Sequence, residues 1–382
     1  MSFQYINQHL LKRKQDALLR KRNIITDADA RRIVVEDKEY INFSSNDYLG
    51  FSHHSLNVDE QALGSHSSSL VTGYHAQHVA LEDYLSTTLG YEAAMLFNSG
   101  FSANSSIIKA LFNDKTVSNN SAVFLDKLSH ASLVDGAVHA HSALVRFKHN
   151  DLNHLRSRLE KSKADNKLIV SEGVFSMDGD KAPLKELCAL AKKHNAWLLI
   201  DDAHGFGVIG EHGLGSCDGL SQQELPDILV ITFGKAIASS GACILGNRDF
   251  IDYMVQYNRD YIYSTAMSPL LANLTLARIK QVILATEKRE KLHCNINYFK
   301  NLAHKNNIAM MPSNTAIQPI ILGCPQQTLD AANSLKNKGI WVSAIRPPTV
   351  AHNTSRLRVT LTCEHSKDDI ALLIKHLSSA IK

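Results

Sequence analysis

The sequence predicts an α/β fold: a mostly parallel central sheet with helices on both faces, followed by a smaller α+β C-terminal domain. Three observations predict it. Short apolar runs recur and stop at Gly or polar residues, as at 198–200 and 228–231, which suits strands buried on both faces of a parallel sheet. Amphipathic helical segments alternate with such runs between about 76 and 193, the order of consecutive βαβ units. Beyond 269 a long helical pattern, short strands and a closing helix replace the alternation. The expected division is an N-terminal helix with short strands over 1–44, a large α/β domain over 45–268, and the small domain over 269–382.

In chain order, residues 1–22 read as a basic amphipathic helix, with Ile6, Leu10, Leu11, Ala17 and Leu18 apolar and Lys12, Arg13, Lys14, Arg20, Lys21 and Arg22 charged. A solvated surface helix is the commoner outcome for such a run, and one Arg turned toward an anionic substrate is the sharper one. Residues 33–35 and 41–43 form a strand pair around the polar turn 36–38, and the polar loops 44–50 and 64–69 follow. A helix over 76–89 stops at Gly90. A strand at 93–97 leads through the turn 98–101 into a helix starting at Ser102. Strands at 122–125, 143–147 and 168–170 and helices at 152–161 and 184–193 continue the pattern. The C-terminal part reads as one helical stretch over 269–304, strands at 317–322, 341–345 and 357–361, and helices at 327–338 and 367–380.

A chain of 382 residues can bury a large core. A net charge of +4 is too small at this size to argue for a nucleic-acid partner. No apolar run approaches the roughly 18 residues of a membrane span, and Gln4, Asn7, Gln8 and His9 interrupt any secretion-signal core. The six Cys form no C-x-x-C pair, which favours free thiols in a reducing cytoplasm.

The chemistry concentrates in 198–235. One apolar run ends in Asp201-Asp202-Ala203-His204 and the next in Thr232-Phe233-Gly234-Lys235. In a parallel sheet, ligands sit at the carboxyl ends of the strands, so a carboxylate, an imidazole, a hydroxyl and an amine share one edge. Pyridoxal phosphate needs that set: its aldehyde takes a Lys, and its pyridine nitrogen takes a carboxylate. Small residues after Lys235 would desolvate the amine and lower its pKa. Asp201 would keep the ring nitrogen protonated, His204 would reach the phenolic oxygen, and Thr232 would hold the phosphate. The strand–turn–helix at 93–112 offers a phosphate cradle, although any strand-to-helix connection looks similar. His130, between Ser129 and Ser132, could stack on the ring.

Two rival readings weaken on inspection. Gly205-Phe206-Gly207-Val208-Ile209-Gly210 matches the dinucleotide-binding G-x-G-x-x-G, but the residues that follow are poor helix formers and the fingerprint must open a helix. Asp201, Asp202, His204 and His212 could bind a hydrolytic metal, but no H-E-x-x-H or paired-Cys pattern supports this and Lys235 is left unexplained.

The segments NFSSNDYLG (42–50), NSGF (98–101), LSHASL (128–133), EGVFSMDGD (172–180), DDAHGFGVIGE (201–211), TFGKA (232–236), IYST (262–265), IRPPTV (345–350) and RLRVTLT (356–362) resemble the α-oxoamine synthase family of fold-type-I pyridoxal-phosphate enzymes. They span nearly the whole chain in family order. The resemblance implies a decarboxylating condensation of L-alanine with pimeloyl-CoA or a pimeloyl carrier protein, with glycine plus acetyl-CoA or succinyl-CoA as the sister reaction. It also implies a homodimer with shared sites. On this likeness Lys235 is the Schiff-base residue and α-carbon acid/base, Asp201 the pyridinium partner and His130 the ring-stacking group. Ser176 and His204 lie near the phenolic oxygen, and Gly100, Phe101 and Thr232 are phosphate and backbone contacts. Ser264 and Thr265 reach the partner's cofactor. Arg20 and Thr349 contact the acyl substrate, and Arg358, with Asn46 nearby, grips the amino-acid carboxylate. Arg356 is an equally basic neighbour. The chain departs from the family pattern at His66 and Ser67, at Ala236 and Ala238 where glycines are common, and at Ala351 where Pro is usual.

Overall fold

The computed structural model describes residues 2–59 and 61–381. These form two compact units, one of Met1–His53, Ser176–Asp180 and Glu287–Lys382, the other of His54–Phe175 and Lys181–Thr286.

The larger unit is built on a seven-stranded sheet in the order Ala93–Phe97, Ala242–Gly246, Ile228–Thr232, Trp197–Asp201, Asn166–Glu172, Ser121–Asp126, Ala143–Phe147. Ala242–Gly246 alone runs antiparallel to its neighbours; the next four pairings are all parallel. Leu199, Ile200 and Ile228 to Ile231 are completely buried, as strands covered on both faces must be. Helix starts are set by side-chain caps: Ser99, Asp151, Asn247 and Ser268 each accept from a first-turn N–H. The helix Ala76–Leu89 ends at Gly90, whose φ of 77° closes it in the left-handed region.

Several expectations are corrected. The basic N-terminal helix spans only Tyr5–Gln15 and buries no residue, so little packing extends it. The turn expected at 98–101 is shorter, because Gly100 and Phe101 already belong to the helix Gly100–Leu111, capped by Ser99. The single long helix over 269–304 is two, Pro269–Ile283 and Thr286–Lys305, with Leu284 and Ala285 between them. The helices Ala131–His139, Arg248–Tyr257 and Arg259–Tyr263 and the strand Ala242–Gly246 were not expected. Ala131–His139, Arg259–Tyr263 and Ala242–Gly246 are short, whereas Arg248–Tyr257 is clearly amphipathic, burying Phe250, Ile251 and Met254, and sequence reasoning missed its pattern.

In the smaller unit, Ile25–Ala28, Arg32–Val35 and Lys38–Asn42 form an antiparallel sheet joined by the parallel strand Ile340–Trp341. A second sheet orders Ile317–Gly323, Ser355–Thr360 and Ser343–Ile345. The loop after Asn42 is tied to the second sheet, since Phe43 O accepts Thr360 N at 2.8 Å and Tyr48 O accepts Cys363 N at 2.9 Å. His365 stacks on Phe43 with ring centroids 4.2 Å apart. Burial lowers its pKa to about 4, so it packs there as a neutral ring.

Two departures from the family pattern leave a backbone signature. His66 and Ala238 have φ of 68° and 51°, a region that favours glycine because a Cβ crowds the backbone. Ala238→Gly should therefore raise stability by about 0.5–1 kcal/mol, the relief of left-handed strain exceeding the added chain entropy. Urea unfolding of the two proteins checks this; a lower midpoint for the variant would contradict it.

Candidate active site

The parallel strands of the larger unit deliver their last residues to one edge, where Glu172 pairs in register with Asp201. Asp201 is 5% exposed. Its Oδ2 accepts Asn104 Nδ2 at 2.6 Å and its Oδ1 accepts the Ala203 amide at 2.9 Å. Asn104 lies one turn into the helix Gly100–Leu111 and also donates to Ser132 Oγ at 3.1 Å. Ser132 Oγ is 2.8 Å from His130 Nδ1, and the His130 amide donates to Glu172 Oε1 at 2.5 Å. Asp201, Asn104, Ser132, His130 and Glu172 thus form one connected network. Burial lowers the His130 pKa, Asp201 raises it, and the Lys235 charge lowers it.

Lys235 stands in a tight turn after Ile228–Thr232. Phe233 N donates to Gly241 O, Ser239 N to Phe233 O and Ala238 N to Lys235 O, all at 2.8–2.9 Å. The side chain is half-buried, and its charge acts on both His130 and Asp202. His204 is buried.

An anion cradle lies at the start of Gly100–Leu111. A Cβ on Gly100 would stand 2.5 Å from Thr232 Cγ2, so glycine lets helix and strand approach. Thr232 Oγ1 is buried and has no hydrogen-bond partner among the described residues. A buried orphan hydroxyl costs roughly 1–3 kcal/mol and marks a place for a ligand atom. The start of the helix Gly100–Leu111 close by offers first-turn N–H groups, a combination that suits an anion such as phosphate. The residues present therefore suit pyridoxal phosphate: an amine at Lys235, a carboxylate at Asp201 and a phosphate site at Gly100, Phe101 and Thr232.

Asp202 has a different task. It is fully buried and accepts Ser216 N at 2.7 Å and Ser216 Oγ at 2.5 Å. Cβ atoms added to Gly173, Gly205 and Gly215 would all stand within 2.1 Å of its carboxylate oxygens. Gly205 of the G-x-G-x-x-G stretch thus makes room for a carboxylate, and no helix follows it. His212, one of the residues of the metal reading, is exposed and pairs with Asp218, and among the described residues no three His, Cys, Asp or Glu are grouped as a metal ion needs.

In the smaller unit, Arg356 and Arg358 take different partners. Arg356 Nη1 pairs with Asp178 Oδ1 at 2.8 Å, both buried. Arg358 donates to neutral groups: Nε to Ser176 O at 2.7 Å, Nη1 to Thr360 Oγ1 at 3.0 Å, and both terminal nitrogens to Asn46 Oδ1 at 3.3 Å. Among the described residues no carboxylate pairs with this buried guanidinium, an environment that suits an anionic ligand. Arg20 Nη2 donates to Thr349 Oγ1 at 3.0 Å, which brings these two expected acyl contacts together. Arg346 donates to Ala17 O beside them. Ser176 and His204, expected at one oxygen, belong to different units. Ser264 and Thr265 are exposed and line a cavity of about 170 Å³ with Asn98 and Ser102.

Sequence reasoning missed Asn104, Ser132 and Glu172. Asn104 carried a signal, an amide between Ala103 and Ile107 on the apolar face of its helix. Ser132 and Glu172 carried none beyond lying within the segments LSHASL and EGVFSMDGD.

Residues 38–377 match the aminotransferase class I and II family. The chain is 42% identical to the 8-amino-7-oxononanoate synthase of Hydrogenovibrio crunogenus, over 97% of this chain and 94% of that protein. The chain belongs to this family, in its α-oxoamine synthase branch. It is also 43% identical to the 8-amino-7-oxononanoate synthase of Citrobacter koseri, over 99% of both chains. A solved serine palmitoyltransferase of S. paucimobilis, carrying pyridoxal phosphate and myriocin, superposes with a TM-score of 0.90 at 26% identity, over 99% of this chain and 97% of that one. The fold is accordingly that of fold-type-I pyridoxal-phosphate transferases. In this synthase branch Asp202 gives a specific expectation. Burial raises its carboxyl from 3.8 to about 7, against the pull of the Ser216 bonds. Between about pH 4 and 7 the folded chain keeps a proton that the unfolded chain has lost, so this contribution to stability is lost as pH rises through 7. Asp202→Asn keeps both Ser216 bonds, because the serine hydroxyl can reverse its direction, and removes the titration. The variant's melting temperature relative to the parent should climb from pH 5 to 8; a constant difference would contradict the assignment.

Proposed function

We propose that this chain catalyses the decarboxylating condensation of L-alanine with a pimeloyl thioester, giving 8-amino-7-oxononanoate, CO₂ and the free thiol in the biotin pathway. The observation that carries the reading is near-full-length identity of 42–43% to synthases of that name, together with the Lys235–Asp201–His130 constellation. Pyridoxal phosphate, when bound, supplies an electron sink conjugated to the substrate α-carbon.

The chain's own residues do the rest. Asp201 offers its carboxylate to the ring nitrogen and is held in place by Asn104 and the Ala203 amide. Thr232, Gly100 and Phe101 hold the phosphate, His130 packs on the ring, and His204 and Ser176 serve the phenolic oxygen. Arg358 takes the alanine carboxylate, since Arg356 is already neutralised by Asp178. Lys235 removes the α-proton. The α-carbon then bonds to the thioester carbonyl as the C–S bond breaks and the thiol leaves. The resulting β-keto acid loses CO₂, and Lys235 returns a proton to the α-carbon. Arg20 and Thr349 contact the acyl donor, pimeloyl-CoA or a pimeloyl carrier protein. The working form is a cytoplasmic homodimer in which Ser264 and Thr265 of one copy reach the cofactor of the other.

Thiol release by the pyridoxal-phosphate-loaded protein tests the reading. Release is expected with L-alanine plus pimeloyl-CoA or the pimeloyl carrier protein. Release only with glycine plus acetyl-CoA or succinyl-CoA would overturn the substrate assignment, and silence in every mixture would overturn the activity.

A further inference from the structure

The geometry points to Ser132 and Asn104 as positioning residues that fix the proton of His130 on Nε2. His130 caps the helix Ala131–His139, and the Ser132 amide donates to its Nδ1 at 3.2 Å. A peptide N–H can only donate, so Nδ1 presents a lone pair. The Ser132 hydroxyl, 2.8 Å from the same nitrogen, must then also point its proton there. With that proton committed, Ser132 Oγ accepts from Asn104 Nδ2 at 3.1 Å, and the same amide nitrogen donates to Asp201 Oδ2 at 2.6 Å.

The direction of this chain is anchored by charge. Turning the Asn104 amide over would set Oδ1 against the Asp201 carboxylate, two acceptors at contact distance. The observed orientation leaves Asn104 Oδ1 buried and without a partner among the described residues, the cost of aiming the NH₂ group at two acceptors. From the carboxylate outward, each group has one polarity available: Asp201 accepts, Asn104 donates, Ser132 accepts and donates, and Nδ1 accepts. A neutral imidazole then carries its proton on Nε2. Burial and the nearby Lys235 charge keep the ring neutral against the pull of Asp201, and the Glu172 bond to the His130 amide holds the backbone.

The consequence concerns the division of labour, and here it rests on the proposed reaction. At Nε2, His130 offers a hydrogen bond to a substrate or cofactor oxygen and has no lone pair with which to take a proton. The α-proton is therefore left to Lys235.

The test reads the proton directly. Holoenzyme is prepared with ¹⁵N-imidazole histidine, and the His130 signals are assigned by their loss in His130→Asn. The parent should show one-bond proton coupling at Nε2 and a proton-free Nδ1. Ser132→Ala keeps the longer amide contact at 3.2 Å but loses the shorter hydroxyl bond at 2.8 Å, so it should gain a partial Nδ1–H population and lose roughly 10–100-fold in kcat, with KM for L-alanine little changed, and Ser132→Thr should restore both. A proton on Nδ1 in the parent would overturn the inference without any variant, as would unchanged signals in Ser132→Ala. The spectra are taken without substrate, so a different reaction would leave them interpretable and would overturn only the functional reading.

Discussion

A carboxylate at the end of a buried strand is costly unless donors surround it, and the arrangement around Asp201 follows from that constraint. Its principal side-chain donor is Asn104, at 2.6 Å. Asn104 reaches it because the helix begins at Gly100, and a side chain at Gly100 would strike Thr232. Thr232 ends the neighbouring strand and leaves its hydroxyl free for an anion at the same helix start. The same Asn104 amide continues through Ser132 to His130. Asp201, Asn104, Ser132 and His130 are thus joined in one chain of contacts that starts from the carboxylate, and the helix carrying Asn104 begins against Thr232.

The adjacent acid shows what happens without such provision. Asp202 occupies a space cleared by Gly173, Gly205 and Gly215, where Ser216 donates to it through its amide and its hydroxyl. Burial dominates, and its carboxyl titrates near neutrality. Two of the three glycines of this pattern face carboxylates, Gly205 facing Asp202 and Gly210, with φ of 91°, facing Asp218, while Gly207 faces Ala236 and Val282. A nucleotide-binding motif and a carboxylate nest can therefore share a sequence pattern while differing in what the glycines admit.

Most of the architecture was legible because the strands are apolar throughout and the helices have clear stops. The helices over 76–89, 152–161, 184–193 and 367–380 occur with those bounds. The strand Ala242–Gly246 was not legible, since its small residues read as packing around Lys235. The break after Ile283 was hidden because Leu284 and Ala285 are ordinary helix formers. At the site, the residues that carry charge or reactive groups stood out in their motifs. Those that orient them did not. Asn104 and Ser132 matter through distances of 2.6 to 3.1 Å between segments remote in sequence, and no local pattern encodes such a meeting. The pairing of Arg356 with Asp178, which separates it from Arg358, spans 178 residues and is equally invisible in sequence.

The central claim is that Lys235 moves the α-proton of an amino acid held in this site. Exchange of the L-alanine Cα–H for deuterium, followed by proton NMR in D₂O with the cofactor-loaded protein and no acyl donor, tests it most directly. The account predicts steady exchange by the parent protein and none by Lys235→Ala. Exchange by that variant at the parent's rate would contradict it.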